Sequence, residues 1–429
     1  MNQAGAPVRR PLLFAMHNQQ LIPDLYRKEY SKMVAVLCSR FGLGFMETAE
    51  DIVGDTFLSA AETWGQKGLP AQPVAWLYTV AKNKALNDLK HRQLFNTRIK
   101  GDLIHAGAQS METDIDLSPQ NITDSQLQMI FAVCHPSIPP EGQVCLALRI
   151  LCGFSVDEIA RALLTTRGNI NKRLFRAKER YRSGNVTIRF PDEADLASRL
   201  DTVLVTLYLL FNEGYYSAGS DEILRKDLCL EAMRLVYMLT EHGPTSLPRV
   251  YALLALMCFQ ASRFEARVGP GGDLVLYENQ DSSLWDRELI NRGNGFFVRA
   301  SAAGDRSRYH LEAAIAWWHT QQGDTLEKWE NILRLYNQLL VIEYSPMAAL
   351  NRAYAYARVY GNEKAIAEAE GLQLSGNLFY HSLLGELYTG IDGGAAIRHL
   401  EKALTLAGAP PERCVLTAKL AALKQSSGQ

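Results

Sequence analysis

Apolar residues recur at intervals of three and four along nearly the whole chain, and the alternation expected of half-buried strands is rare. This pattern predicts an all-α protein. Gly-, Pro- or polar-rich stretches interrupt it at 65–73, 96–124, 136–142, 183–191, 214–221, 269–273 and 304–307. They cut the chain into four helical blocks, at about 15–95, 125–183, 192–320 and 325–425. The most apolar runs, Val203–Phe211 and Tyr251–Phe259, fall far short of the roughly 20 residues that span a bilayer. The N-terminal run Leu12–Met16 is likewise too short for a secretory core. A soluble, cytoplasmic protein with no membrane association is expected.

The second block has the sharpest local signal. Ser155-Val-Asp-Glu158 places Ser at an N-cap and Glu three residues on, a capping box. The helix it opens, 156–164, would bury Val156, Ile159, Ala160 and Leu163. A turn at Thr165–Thr166 precedes a second helix, 167–181, with Ile170, Leu174, Ala177 and Tyr181 inward. Its outer face carries Arg167, Asn169, Asn171, Lys172, Arg173 and Arg176. Two short helices joined by a tight turn form a helix-turn-helix. Arg suits guanine edges, Asn suits adenine edges, and Lys holds phosphates.

Charge sharpens the picture. The 429 residues carry a formal net charge of −1, which excludes a uniformly basic coat. Divided at residue 185, the first part has 22 Lys+Arg against 17 Asp+Glu, a net of +5, and the remainder nets −6. The window 167–182 holds seven cations against Glu179 alone, a footprint for phosphate. Hydrophobic residues at 47% and charged residues at 21% are ordinary globular values. The seven cysteines (38, 134, 145, 152, 229, 258, 414) form no paired framework and fit a reducing compartment. Cys134–His135 has no second pair at ligand spacing, so no metal is expected.

In the first block, Ala49-Glu-Asp-Ile-Val-Gly-Asp-Thr-Phe-Leu58 precedes a Gly/Pro loop and then Pro73-Val-Ala-Trp-Leu-Tyr-Thr-Val-Ala-Lys-Asn-Lys-Ala-Leu-Asn-Asp-Leu-Lys-His-Arg92. These stretches resemble the "AEDxxQxTF" and "WLxxIAxNxAxDxxR" patterns of region 2 of extracytoplasmic-function (ECF) sigma factors. The helix-turn-helix falls where region 4 of that family stands. The resemblance covers about the first 183 residues, with region 2 at 15–95, a linker at 96–124 and region 4 at 125–183. One departure is Gly54, where the family usually has Gln; Gly weakens a helix interior by about 1 kcal/mol against Ala.

The resemblance implies function residue by residue. Glu50, Asp51 and Asp55 would form an acidic outer stripe that, with Phe57, docks on the β′ clamp helices of core RNA polymerase, while region 4 meets the β flap and the −35 element. Trp76, Lys82, Asn83, Lys84, Asn87, Lys90 and Arg92 would bind the −10 element, with the loop 66–72 capturing an unstacked base. Cations mixed with amides and aromatics suit single strands. Trp76 reads as core in preference to a stacking platform. The linker, with Asp102, Glu112, Asp114, Asp116 and Asp124 against Arg98 and Lys100, reads as a flexible acidic tether.

About 240 further residues follow. Leu207–Ser217, Leu253–Arg267 and "GGDLVLYENQDSSLWDRELINRG" resemble the helical extension of the sigma subgroup called group 42, which ends in a tetratricopeptide-like domain and is thought to replace a separate anti-sigma partner. Ala353, Tyr356, Ala365 and Ala369 recur as Leu384, Leu387, Ala396 and Leu400 at an offset of 31, consistent with two copies of a helical repeat. The expected domains are therefore a helical extension at 192–320 and repeats at 325–425, with an intramolecular contact to the sigma blocks. Gly269-Pro-Gly-Gly272 lacks the lysine of a phosphate loop and reads as a turn before a short strand at 274–277. His310 and His319, beside Trp317 and Trp318, read as helix packing. The expectation is a sigma factor without catalysis, cofactor or metal. The alternatives are a free-standing helix-turn-helix regulator whose repeats sense a ligand or peptide, and a metabolic enzyme with a DNA-binding appendage.

Overall fold

The computed structural model describes residues 10–99, 115–163, 165–183, 187–215, 225–269, 275, 277–302, 306–408 and 410–427. Several residues considered above lie outside the described ones: Lys100, Asp102, Glu112 and Asp114 of the linker, Leu164, Tyr216, and the stretch 270–274. The same holds for the Arg182 side chain. The described residues form a helical architecture. The chain divides into two compact units: Met1–Ala160 with Thr165–Thr206, and Arg161–Leu164 with Leu207–Gln429.

In the first unit, α1 (Arg10–Phe41), α2 (Met46–Lys67) and α3 (Pro73–Ile99) come first. Then follow α4 (Pro119–Val133), α5 (Pro140–Leu146) with a π-helical turn at Ala147–Leu151, α6 (Val156–Ala162) and α7 (Arg167–Ser183). Helix α1 organises the core. Its residues Met33 to Cys38 are all buried, each at 3% exposure or less. Six consecutive buried positions exceed the single apolar stripe of an ordinary surface helix, so α1 must be covered on more than one side. Helices α2 and α3 pack on it, and so do α4 and the π-helical turn.

The linker is shorter than the sequence suggests. Helix α3 runs on to Ile99, and α4 begins at Pro119 rather than near 125. Ser118 caps α4, its Oγ accepting from the Asn121 amide at 3.3 Å, and Pro119 supplies a pre-set φ at the first helical position. Just upstream, Ile115 is buried and, with Leu117, lines a small apolar pocket with Met33, Val36, Leu37, Tyr78 and Ala81. The end of the tether is anchored, because a buried Ile at this point is worth a few kcal/mol of transfer free energy.

Helix α8 (Glu193–Tyr215) starts in the first unit. There Arg199 donates to the Phe131 carbonyl at 2.6 Å, and Thr206 Oγ1 donates to Gln143 Oε1 at 2.7 Å. Gln143 in turn donates to the carbonyls of His135 and Ile138, so a buried amide is fully used.

The second unit continues with α9 (Lys226–Glu241), α10 (Pro248–Ala261), α11 (Arg287–Ser301), α12 (Arg308–Thr320) and α13 (Leu326–Ile342). Then come α14 (Pro346–Tyr360), α15 (Asn362–Glu370), α16 (Leu378–Tyr388), α17 (Gly393–Leu406) and α18 (Pro410–Ser427). The apolar run at 251–259 is the core of α10, which is buried on nearly every side and packed by α9, α11 and α12. No helix among the described residues is long and apolar enough to cross a membrane. The 31-residue offset maps the pair α14–α15 onto α16–α17. Seven of its eight positions are buried and Tyr356 is partly so. One compact unit, Leu207–Gln429, spans most of the blocks expected at 192–320 and 325–425. The strand expected at 274–277 is absent at its described end, where Tyr277 opens a 3-10 turn, Tyr277–Asn279.

Both histidines expected in helix packing have local work. His310 caps α12: its Nδ1 accepts from the Ser307 amide at 3.1 Å, and its Nε2 meets the Ala300 carbonyl at 3.1 Å. The ring of His319 packs edge-on against Tyr277 at 4.7 Å and Trp329 at 5.9 Å. Burial pushes its pKa down to about 3, aided by Arg263 and Lys328. The buried Lys328 ammonium donates to Tyr277 Oη, the Gln321 carbonyl and the Gly323 carbonyl, at 2.9, 2.9 and 3.2 Å.

Candidate nucleic-acid and polymerase interface

The helix-turn-helix is built as its sequence requires. The Ser155 amide donates to Glu158 Oε2 at 2.8 Å, and the Glu158 amide donates to Ser155 Oγ at 3.2 Å, closing the capping box that starts α6. Thr166 caps α7, its Oγ1 accepting from the Asn169 amide at 3.3 Å. Ile170, Leu174, Ala177 and Tyr181 are all buried, and Tyr181 Oη donates to the Ala132 carbonyl of α4 at 3.0 Å.

On the opposite face Arg167, Asn169, Asn171, Lys172 and Arg176 are exposed. Arg173 is half-buried and pairs with Glu141 at 3.2 Å. Arg167 pairs weakly with Asp157 at 3.4 Å, and Asn169 donates to Thr165 Oγ1 at 3.1 Å. Phe175 stands on the same helix at 63% exposure. It is absent from the row of residues expected to face DNA, although a bulky apolar residue off the i, i+3, i+4, i+7 stripe is a signal visible in the sequence.

In α3, Asn83, Asn87, Lys90 and Arg92 are exposed, while Trp76, Lys82 and Lys84 are half-buried. Trp76 meets the buried Trp64 edge-on at 5.4 Å. Two of the cations have neighbours on the preceding elements. Lys84 donates to the Asp55 carbonyl and Ser59 Oγ at 2.8 and 3.0 Å. Arg92 donates to Thr48 Oγ1 at 2.6 Å and pairs with Asp88 at 2.7 Å.

The acidic stripe of α2 is where geometry and expectation part. Asp51 and Asp55 are exposed, but Glu50 is buried, with only 8% of its surface accessible. Arg149 Nε donates to its Oε1 at 2.6 Å, Lys178 Nζ to its Oε2 at 3.2 Å, and Tyr30 Oη to Oε1 at 3.3 Å. Phe57 is also buried, against Tyr26. The Glu50 pocket responds electrostatically. Burial works against the Arg149 charge, yet the adjacent Glu50 holds its pKa above the usual value. Burial and then Glu50 push the Tyr30 phenol up. Glu50 therefore belongs to an internal ion-pair cluster and not to an outer stripe, because Arg149 of the π-helical turn and Lys178 of α7 close on it.

An exposed row of Arg, Asn and Lys on a capped second helix, and a second helix pair carrying amides and cations, suit contact with nucleic acid in two places. Comparisons with known proteins agree. The model for sigma-70 region 2 matches residues 25–95, and that for sigma-70 region 4 matches residues 128–180. A family of unknown function, DUF6596, matches residues 199–301. An uncharacterised protein of Rhizobium meliloti is 34% identical over 347 residues, covering 80% of this chain and 82% of its own. The ECF RNA polymerase sigma factor BldN of Streptomyces coelicolor is 27% identical over 139 residues, 32% of this chain and 50% of its own. The ECF RNA polymerase sigma-E factor of Haemophilus influenzae is 26% identical over 164 residues, 36% of this chain and 83% of its own. No solved structure matches. The chain belongs to the ECF sigma-70 family and carries a C-terminal helical extension. Its role is in promoter recognition.

Proposed function

We propose that the chain is an alternative sigma factor that binds core RNA polymerase and directs initiation, and that its extension regulates that activity in place of a separate anti-sigma partner. The observation that carries the reading is the exposed row Arg167, Asn169, Asn171, Lys172 and Arg176 on α7, with Arg173 beside it, on a helix-turn-helix that follows a region 2. In this reading α7 enters the −35 major groove, with Arg and Asn on base edges and Lys on phosphates. Asn83, Asn87, Lys90 and Arg92 of α3 take the −10 strand, with Trp76, Lys82 and Lys84 behind them. Asp51 and Asp55, exposed on α2, meet the β′ clamp helices, where opposite charge favours orientation and on-rate, with Phe57 packed behind them in the core. Region 4 meets the β flap.

Run-off transcription with purified core tests this. A promoter-dependent transcript that needs the chain supports it, and its absence refutes it. A free-standing regulator would instead give tight specific duplex binding without polymerase in a gel shift. For the extension, full-length protein is compared with a chain ending at Thr206. Unequal transcription supports regulation in cis, and equal transcription refutes it.

A further inference from the structure

Inside the second unit, Tyr277 is the hub of a polar cluster to which promoter recognition gives no role. Trp285 stacks on it with ring centroids 6.4 Å apart, and His319 of α12 meets it edge-on at 4.7 Å. The Arg263 guanidinium, from the turn after α10, lies 5.2 Å from the ring centre, and Lys328 Nζ of α13 lies 5.4 Å from it. Three polar atoms of this cluster are buried without a hydrogen-bond partner: Arg263 Nε, Trp285 Nε1 and His319 Nδ1. Trp285 as a whole is only 6% exposed. A buried N–H without a partner has given up its hydration for nothing, so such groups mark a water, ion or ligand that completes them.

The charge is unbalanced as well. Among the described residues neither Arg263 nor Lys328 forms an ion pair. Arg263 gives Nη2 to Tyr215 Oη at 3.3 Å, and Lys328 has its three donors on the Tyr277 hydroxyl and two backbone carbonyls. Asp324, whose charge reaches Lys328, has Oδ1 on the Trp329 indole and Oδ2 on Arg358. Two cations thus sit among aromatic rings with no carboxylate of their own, an arrangement that favours an anion.

We propose that Arg263, Trp285 and His319 form a binding site for a small monocarboxylate. A guanidinium presents parallel N–H donors that match a planar carboxylate, and the indole N–H adds a neutral one. His319 joins them as a donor in the tautomer that carries its proton on Nδ1. A phosphate fits less well, because its second charge would need a second available cation, and Lys328 already has every donor on oxygen. The Tyr277 and Trp285 rings supply the apolar wall usual beside a few convergent polar groups. The inference goes beyond the sigma-factor reading and does not depend on it.

The test uses the full chain labelled with nitrogen-15 tryptophan, in a buffer free of carboxylates. Six tryptophans give six indole resonances, and the one lost in Trp285→Phe is that of the site. Sodium acetate should move this resonance saturably, with a dissociation constant of about 1 mM or tighter. Sodium chloride at equal ionic strength should not. Arg263→Met should weaken acetate binding about tenfold or more. If Arg263→Met fails to fold, Arg263→Lys, which keeps the charge and loses the fork, is read the same way. No saturable shift, as when water alone completes these donors, overturns the proposal. So does an equal shift with chloride, or unaltered affinity in the Arg263 variant. Tighter binding of inorganic phosphate than of acetate overturns the monocarboxylate assignment. Asp273 lies outside the described residues, so Asp273→Asn is titrated alongside. Acetate binding confined to that variant would show a carboxylate supplied by the chain itself and overturns the proposal. Polymerase takes no part in the readout, so this site and the sigma-factor reading can fail independently.

Discussion

The same substitution, Gly to Ala, should have opposite signs at two helical positions, and the space around each glycine decides which. At Gly54 in α2 an added Cβ meets nothing within 4 Å. Only helix propensity acts there, so Gly54→Ala should stabilise by about 1 kcal/mol. At Gly214 in α8 the Cβ would stand 2.8 Å from the Arg225 carbonyl oxygen, 2.8 Å from Cys229 Sγ and 2.9 Å from Leu228 Cβ. The Arg225 carbonyl cannot retreat easily, because the Arg225 amide is bonded to the Gly214 carbonyl at 2.8 Å. Overpacking of this kind costs about 1–3 kcal/mol. With propensity returning about 1 kcal/mol, a net loss of up to about 2 kcal/mol is expected. Hydrogen exchange read by mass spectrometry resolves the two sites in one molecule. Peptides from α2 should exchange about fivefold more slowly in Gly54→Ala, and those from α8 and α9 faster, by up to about 30-fold, in Gly214→Ala. Faster exchange of α2, or slower exchange of α8, would refute the steric reasoning.

Further predictions concern charge and hydrogen bonding. His319 is held neutral in the fold with its pKa near 3, whereas the unfolded ring titrates near 6.5. The fold therefore forgoes no protonation above pH 6.5 and loses stability as pH falls toward 3. At pH 5 the loss is about 2 kcal/mol, 1.5 units at 1.36 kcal/mol each. Melting curves at pH 7 and 5 should show that His319→Phe removes most of this difference, and an unchanged pH dependence would contradict it. Arg173→Ala should cost about 1–3 kcal/mol of promoter affinity and relax selectivity at one base pair, whereas Lys172→Ala should weaken all sequences alike and flatten the salt dependence. Binding across a panel of −35 variants separates the two outcomes. Tyr181→Phe removes the buried bond to the Ala132 carbonyl and should cost about 1 kcal/mol in denaturant unfolding.

Much of the helix-turn-helix is legible in the sequence because its determinants are local. A capping box needs two residues three apart, and the inward row Ile170, Leu174, Ala177 and Tyr181 needs only the helical period. Glu50 is not legible in the same way. On a helical wheel it falls with Asp51 as one more acid on α2. What buries it is Arg149 and Lys178, which lie 99 and 128 residues further on, and periodicity carries no information about such long-range pairs. The linker misleads for a related reason. Its acidic composition suggests a free tether, but Ile115 is anchored by α1 and α3, to which it is not adjacent in sequence.

Helix α1, buried on more than one side from Met33 to Cys38, is a member of two cores at once. Separating the regions would uncover an apolar seam of Val, Leu, Met and Cys side chains along that helix. Such a seam is adhesive in water and invites proteases and self-association. An opened molecule with no partner at hand is therefore a short-lived one: it recloses, is captured, or is lost.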